Sequence, residues 1–142
     1  MIEIKTELNI NAPAKDIWRK LMNFSEYSSW NSFITKITGA QVVGSKLSVE
    51  ISPPGKKSSL FNPTLIQLDE NKAMRWVGAM GSEKLFRGEH YFCLESIDET
   101  TTRFIHGEIF SGWLSKPLLA MMGKSIRAGF VAMNEGLQSI MK

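Results

Sequence analysis

The chain carries only two histidines, and each lies close to a glutamate, in Gly88-Glu89-His90 and in His106-Gly107-Glu108. Imidazole beside carboxylate is the pairing that general acid–base chemistry uses most often, because a carboxylate can tune the ring's proton affinity toward neutral pH. Spacing decides which of these groups can meet. If Asp98-Glu99-Thr100 is the turn of an antiparallel hairpin, Ile97 lies opposite Thr101 and Glu95 opposite Arg103, a cross-strand charge pair. The same register sets Leu94 against Phe104, Phe92 against His106 and His90 against Glu108. Side chains alternate between the faces of a strand, so Phe86, His90, Phe92, Leu94, Phe104, His106, Glu108 and Phe110 share one face. That face is aromatic and apolar with three titratable groups in it. Glu89 and Glu95 point to the other, wetter face and are poor partners for either histidine.

Three readings fit His90, His106 and Glu108. They form a polar patch that satisfies its own hydrogen bonds inside an apolar wall; or they are the few convergent polar groups of an apolar pocket, fixing the head of a ligand; or they are catalytic, a His–Glu pair that abstracts a proton beside a ketone or drives a dehydration. No nucleophile elbow accompanies them, and the three lack any short-range ligand motif, so no metal and no cofactor is expected.

The elements that must hold this face in place are legible along the chain. Ile2, Ile4, Thr6, Leu8 and Ile10 alternate with polar residues, the signature of a half-buried strand. Asn11-Ala12-Pro13 starts a helix running to about Met22, with Ile17, Trp18 and Leu21 on one side. A short second helix carries Phe24, Tyr27 and Trp30. Strands are then expected over Phe33–Thr38, Lys46–Ser52, Leu60–Leu68, Lys72–Gly78, Lys84–Ile97 and Thr101–Ser111, separated by Gly, Pro, Asn or Asp turns such as Pro53-Pro54-Gly55 and Asp69-Glu70-Asn71. Beyond Trp113 the period becomes helical. Leu114, Leu118, Met121, Met122, Ile126, Phe130, Met133, Leu137 and Ile140 recur at steps of three and four, with Ser115 as the expected N-cap and Pro117 in the first turn. A helix of about 25 residues is roughly 38 Å long, enough to cross a sheet. Three glycines within it, Gly123, Gly129 and Gly136, imply either close packing or a hinge.

At 142 residues, without repeats or linker-like stretches, the chain is expected to be a single domain over 1–142. The only cysteine, Cys93, excludes an internal disulfide and suits a reducing compartment, so a cytoplasmic location is expected. No apolar run approaches the roughly 20 residues of a membrane span, and no signal peptide precedes the first strand. A net charge of +3, with its densest basic spots at Arg19-Lys20 and Lys56-Lys57, is too small and scattered for a nucleic-acid footprint. The oligomeric state is left open.

The order of elements and several local stretches resemble the START-like, helix-grip superfamily (SRPBCC), in particular its polyketide cyclase/dehydrase and lipid-transport group. The resemblance rests on Ile10-Asn11-Ala12-Pro13 with Ile17-Trp18, on Tyr27-Ser28-Ser29-Trp30-Asn31-Ser32-Phe33, on Phe86 to Phe92, and on Thr102 to Gly112. It implies an α+β helix-grip domain: a seven-stranded antiparallel sheet in the order β-α-α-β6-α, wrapped around the long C-terminal helix with a cavity between. It further implies that the cavity binds a small or medium hydrophobic molecule, such as a lipid, isoprenoid or polyketide-like compound, as carrier or sensor. Tyr27 and Trp30 would then guard the cavity mouth, and Trp76, Phe86, Phe92, Phe104, Phe110, Met121, Met122 and Phe130 would line it. Relatives also admit a cyclase or dehydratase with His90 or His106 as proton shuttle and Glu108 as orienter, and a protein-binding, co-chaperone-like module.

Overall fold

The computed structural model describes all residues 1–142. The alternating N-terminal segment forms β1 (Ile2–Ile10), followed by α1 (Ala14–Met22), a 3-10 turn (Phe24–Glu26) and the one-turn helix α2 (Tyr27–Trp30). Strands β2 (Ile34–Thr38), β3 (Ser48–Ile51), β4 (Ser59–Phe61), β5 (Thr64–Asp69), β6 (Ala73–Ala79), β7 (Arg87–Asp98) and β8 (Thr101–Ser111) come next, and α3 (Ser115–Ile140) ends the fold. All pairing is antiparallel, in a five-stranded sheet ordered β1-β8-β7-β6-β5 and a three-stranded sheet ordered β2-β3-β4.

The helix-grip architecture is as expected, but eight strands in two sheets replace the single seven-stranded sheet. The expected strand Leu60–Leu68 is two, β4 and β5, interrupted at Asn62-Pro63. Proline cannot donate to a ladder and is confined to strand ends and edges, so the break falls where the chain loses a donor. The Pro63 carbonyl still accepts from the Leu47 amide at 2.8 Å, and Lys46 bridges Thr64, which stitches the two sheets along this seam.

The β7–β8 register is the one the sequence implies: Glu95 opposes Arg103, Leu94 opposes Phe104, Phe92 opposes His106 and His90 opposes Glu108. The turn is tighter. Asp98 pairs with Thr101, so Glu99-Thr100 make the bend, and Ile97 is the extra residue of a bulge between Ser96 and Asp98. The Asp98 carboxylate accepts from the Thr100 backbone amide at 2.9 Å, the local bond that makes Asp a turn residue.

Helix α3 lacks the expected serine cap. Leu114 occupies the N-cap position, and the Ser115 hydroxyl instead donates back to the Gly112 carbonyl. Gly112 itself has φ 99°, and a Cβ there would run into the Leu85 backbone, so glycine is what lets the chain leave β8 and enter the helix. Two of the helix glycines are contact points, not hinges. A Cβ on Gly129 would strike the Phe33 ring, and one on Gly136 would strike the Trp30 carbonyl. Gly123 meets only Leu119 of its own helix. Close packing therefore holds the C-terminal half of α3, where Phe130, Met133, Asn134 and Leu137 are buried. Between Ser115 and Gly129 no residue of α3 is fully buried. That half of the helix stands off the sheet.

Candidate functional site

The gap under the N-terminal half of α3 is a cavity of about 190 Å³, and thirteen of its twenty-one lining residues are apolar. Its floor is the concave face of β6–β8, with Trp76, Gly78, Gly88, His90, Glu108 and Phe110. Leu118, Leu119, Met122 and Ile126 of α3 roof it, and Val49, Ile51, Phe61 and Pro63 close the side toward the smaller sheet. Pro53 and Lys57 bring the β3–β4 hairpin to its rim, where the Ser125 hydroxyl donates to the Pro54 carbonyl and ties the hairpin to the helix. An apolar cavity of about 150 Å³ stays dry and accepts benzene, so this volume suits an apolar guest of one or two rings.

Behind the floor runs a buried polar chain. His90 Nδ1 lies 3.2 Å from Glu108 Oε1, and His90 Nε2 lies 2.8 Å from His106 Nε2. On its other side His106 Nδ1 meets Asn134 Oδ1 at 2.9 Å. Asn134 Nδ2 donates to the Thr6 hydroxyl at 2.8 Å, and that hydroxyl donates to the His106 backbone carbonyl at 2.9 Å. His90 and His106 are buried and aromatic rings sandwich them: Trp76 stacks on His90 with centroids 5.0 Å apart, Phe130 stacks on His106 at 4.3 Å, and Phe92 meets both. Glu108 is 21% exposed, at the point where the chain reaches the cavity.

Burial, reinforced by the neighbouring His90, pushes the His106 pKa well below its usual 6.5, and hydrogen bonds to Asn134 and the Phe130 backbone only partly oppose this. The folded state keeps this ring neutral where the unfolded chain would take up a proton. The contribution is therefore intact above about pH 6.5 and is lost as pH falls below it, by about 1.4 kcal/mol per pH unit. Urea titrations at pH 7.5 and 5.5 are expected to differ by about 1.4 kcal/mol in unfolding free energy from this ring. Equal stability at the two values would mean that His106 takes up its proton as readily in the fold as in the unfolded chain.

The structure thus brings His90, His106 and Glu108 together as the sequence face implies, but in a different order of depth. Glu108 and His90 border the cavity; His106 is sealed behind His90. Trp76, Phe86, Phe110 and Met122 also line the cavity. Phe92, Phe104 and Phe130 do not: all three are buried in the core that backs the histidines. Met121 points to solvent at 68% exposure, one position round the helix from Met122. Tyr27 and Trp30 guard no mouth. Tyr27 is buried, its hydroxyl donating to the Leu21 carbonyl at 2.7 Å, and it packs on Trp30 beneath the far end of α3. Burial pushes the Tyr27 pKa far up, so the phenol stays neutral.

Asn134 and Thr6 were not legible as site residues. Asn134 shares a helical stripe with Phe130 and Leu137, and an uncharged amide within an apolar stripe is its only signal. On the outer face of the sheet Glu89 binds Arg75 at 2.8 Å and Arg87 at 3.3 Å. This one carboxylate is shared by two arginines, away from the cavity. No helix is long and apolar enough to cross a membrane, and no cluster of three His, Cys, Asp or Glu side chains has metal-holding geometry.

Residues 1–138 match the sequence profile of the family described as polyketide cyclase / dehydrase and lipid transport. The chain belongs to this family. Among solved structures of similar fold, the ZhuI aromatase/cyclase from Streptomyces sp. R1128 superposes with a TM-score of 0.80 at 11% identity, covering 98% of this chain and 92% of that one. A START superfamily protein from Mycobacterium smegmatis gives 0.71 at 16% identity, with 97% and 98% covered. A point mutant of Thalictrum norcoclaurine synthase bound to a transition-state analogue gives 0.72 at 14%, with 99% and 93% covered. No curated protein matches the sequence. At these identities the structural likeness shows the START-like fold and nothing finer. A fold does not fix an activity, which lives in the site grafted on it.

Proposed function

We propose that this protein binds a small or medium hydrophobic molecule in the cavity between α3 and the β6–β8 floor, with the molecule's polar end at the His90–Glu108 pair, and serves as a carrier or sensor for it. One observation carries the reading: an apolar cavity of about 190 Å³ whose floor holds a hydrogen-bonded His90–Glu108 pair. Binding would draw on burial of apolar surface, at about 25 cal/mol per Å², and the pair would orient the guest. Native mass spectrometry of freshly purified protein, followed by organic extraction, is expected to show a co-purified apolar compound. Titration with an environment-sensitive naphthalene probe is expected to show saturable one-to-one binding. A bare protein mass together with no probe binding would sink the proposal.

A second reading, proton transfer to or from the guest, is favoured by the position of the same pair at the cavity wall, and two of the structural relatives are by name a cyclase and a synthase. It requires that alanine at His90 or Glu108 abolish turnover of whatever compound is extracted.

A further inference from the structure

The polar chain behind the cavity has a direction, and the direction starts at an atom that can only accept. The His106 backbone carbonyl takes its bond from the Thr6 hydroxyl, so that hydroxyl has spent its proton and must accept from Asn134. Asn134 therefore turns its amide nitrogen to Thr6 and its oxygen to His106. An amide oxygen only accepts, so His106 must donate from Nδ1. His106 is neutral, which leaves Nε2 with a lone pair, and His90 must donate to it from its own Nε2. What remains is His90 Nδ1 facing Glu108 Oε1 at 3.2 Å. Two lone pairs cannot face each other here without repulsion, so one proton lies on this line, either as imidazolium with carboxylate or as imidazole with carboxylic acid.

In both forms the other oxygen, Oε2, is left with lone pairs only. The bond that Glu108 makes to the protein runs through Oε1, not through this oxygen. It lies directly over Gly88, where a Cβ would collide with it, and both residues border the cavity. We infer that Glu108 Oε2 is a fixed hydrogen-bond acceptor that selects neutral, hydroxyl- or enol-bearing guests and rejects their carboxylate counterparts, with His90, His106, Asn134 and Thr6 as positioning residues that hold it in that state. A hydroxyl donates to Oε2 and completes the chain. A carboxylate would bring acceptor against acceptor in an apolar cavity, which desolvates both without a bond.

This inference rests on the binding reading above, and the test separates the two. Affinities of naphthalene, 2-naphthol and 2-naphthoate are measured at pH 7.5 by fluorescence and calorimetry on the wild-type chain, on Glu108→Gln and on Glu108→Leu. The wild type is expected to bind naphthol roughly tenfold or more tightly than naphthoate, with naphthalene between. Glu108→Gln should keep that order, because the glutamine amide can donate to His90 Nδ1 and still present its oxygen to the cavity. Glu108→Leu should reduce the naphthol advantage over naphthalene to within about threefold. Loss of the order in Glu108→Gln would mean that net charge, not a fixed acceptor, does the sorting, and would overturn the inference. Equal wild-type binding of all three compounds would overturn it while leaving the binding reading intact; binding of none would end both. Since the chain has only two histidines, long-range ¹H–¹⁵N spectra read each ring directly. His106 should carry its proton on Nδ1 and His90 on Nε2. A proton on His106 Nε2 would break the chain of assignments.

Discussion

Phe130→Ala is expected to lower the melting temperature by roughly 10–15 °C. Phe130 is fully buried on α3, edge-on to Phe33 and His90 and stacked on His106. Truncating a buried phenylalanine costs about 3–5 kcal/mol, because the lost transfer energy is joined by that of the void left behind. For a chain of 142 residues each kcal/mol corresponds to roughly 3 °C. The void would open beside the histidines and let water reach a polar chain that aromatic rings now enclose. Phe130→Leu keeps most of the volume and is expected to cost about a third as much. Thermal unfolding followed by circular dichroism reads both. A shift of under about 3 °C for Phe130→Ala would mean that α3 settles into the gap, and that the helix is held less rigidly than Gly129 and Gly136 imply.

The second large effect belongs to Asn134. Asn134→Leu keeps the branched shape, adds the bulk of two methyl groups at a buried position, and removes the acceptor for His106 Nδ1 and the donor to Thr6. A buried donor left without a partner costs about 1–3 kcal/mol, and here the loss passes along a chain whose members fix one another, so roughly 2–4 kcal/mol is expected. His106 escapes only by moving its proton to Nε2, and His90 must then give up its own Nε2 proton and donate from Nδ1 to Glu108, so the whole line reverses. The sharper measurement is a cycle with Thr6→Val. Thr6 and Asn134 act through one bond, so the double variant is expected to be less destabilised than the sum of the two singles, by about 0.5–3 kcal/mol in urea unfolding. Strict additivity would mean that the two residues contribute separately and that no directed chain exists.

The hairpin carrying the site was legible because two independent signals agreed. Alternation sorts the even-numbered residues from Phe86 to Leu94 and from Phe104 to Phe110 onto one face, and the Glu95–Arg103 pair locks the register, so His90 opposite Glu108 follows from the sequence. The turn is one residue tighter than the spacing implies because a bulge at Ile97 shifts the pairing only beyond Ser96, past the last apolar pair. The run Leu60–Leu68 read as one strand because its apolar residues outweighed Pro63, although a proline inside a strand pattern argues against continuity. The ring positions were harder. Even-numbered residues from Gly88 to Leu94 and from Thr102 to Phe110 face inward, but whether an inward ring meets a cavity or a neighbour depends on how far α3 stands off, which no pattern within a strand encodes. Phe86 and Phe110 lie under the raised half of α3, whereas Phe92 and Phe104 lie in the packed core. Met121 and Met122 differ by one step of about 100° round the helix, enough to put one in solvent and the other over the cavity.

The hydrogen-bonding partner of β1 is β8, and the Thr6–His106 bond joins residues 100 apart in sequence. At about 5–20 residues per second of synthesis, the first strand therefore waits roughly 5–20 s on the ribosome before the strand that completes it has been made. Asn134, 128 residues beyond Thr6, arrives later still. The nascent chain must carry an unpaired, half-apolar strand while the hundred residues up to its partner are made, and the site cannot be assembled in stages. Contacts of such sequence separation raise the contact order and slow folding relative to a helical bundle of the same size. Whatever the cavity holds can meet it only after β1, β8 and α3 have come together.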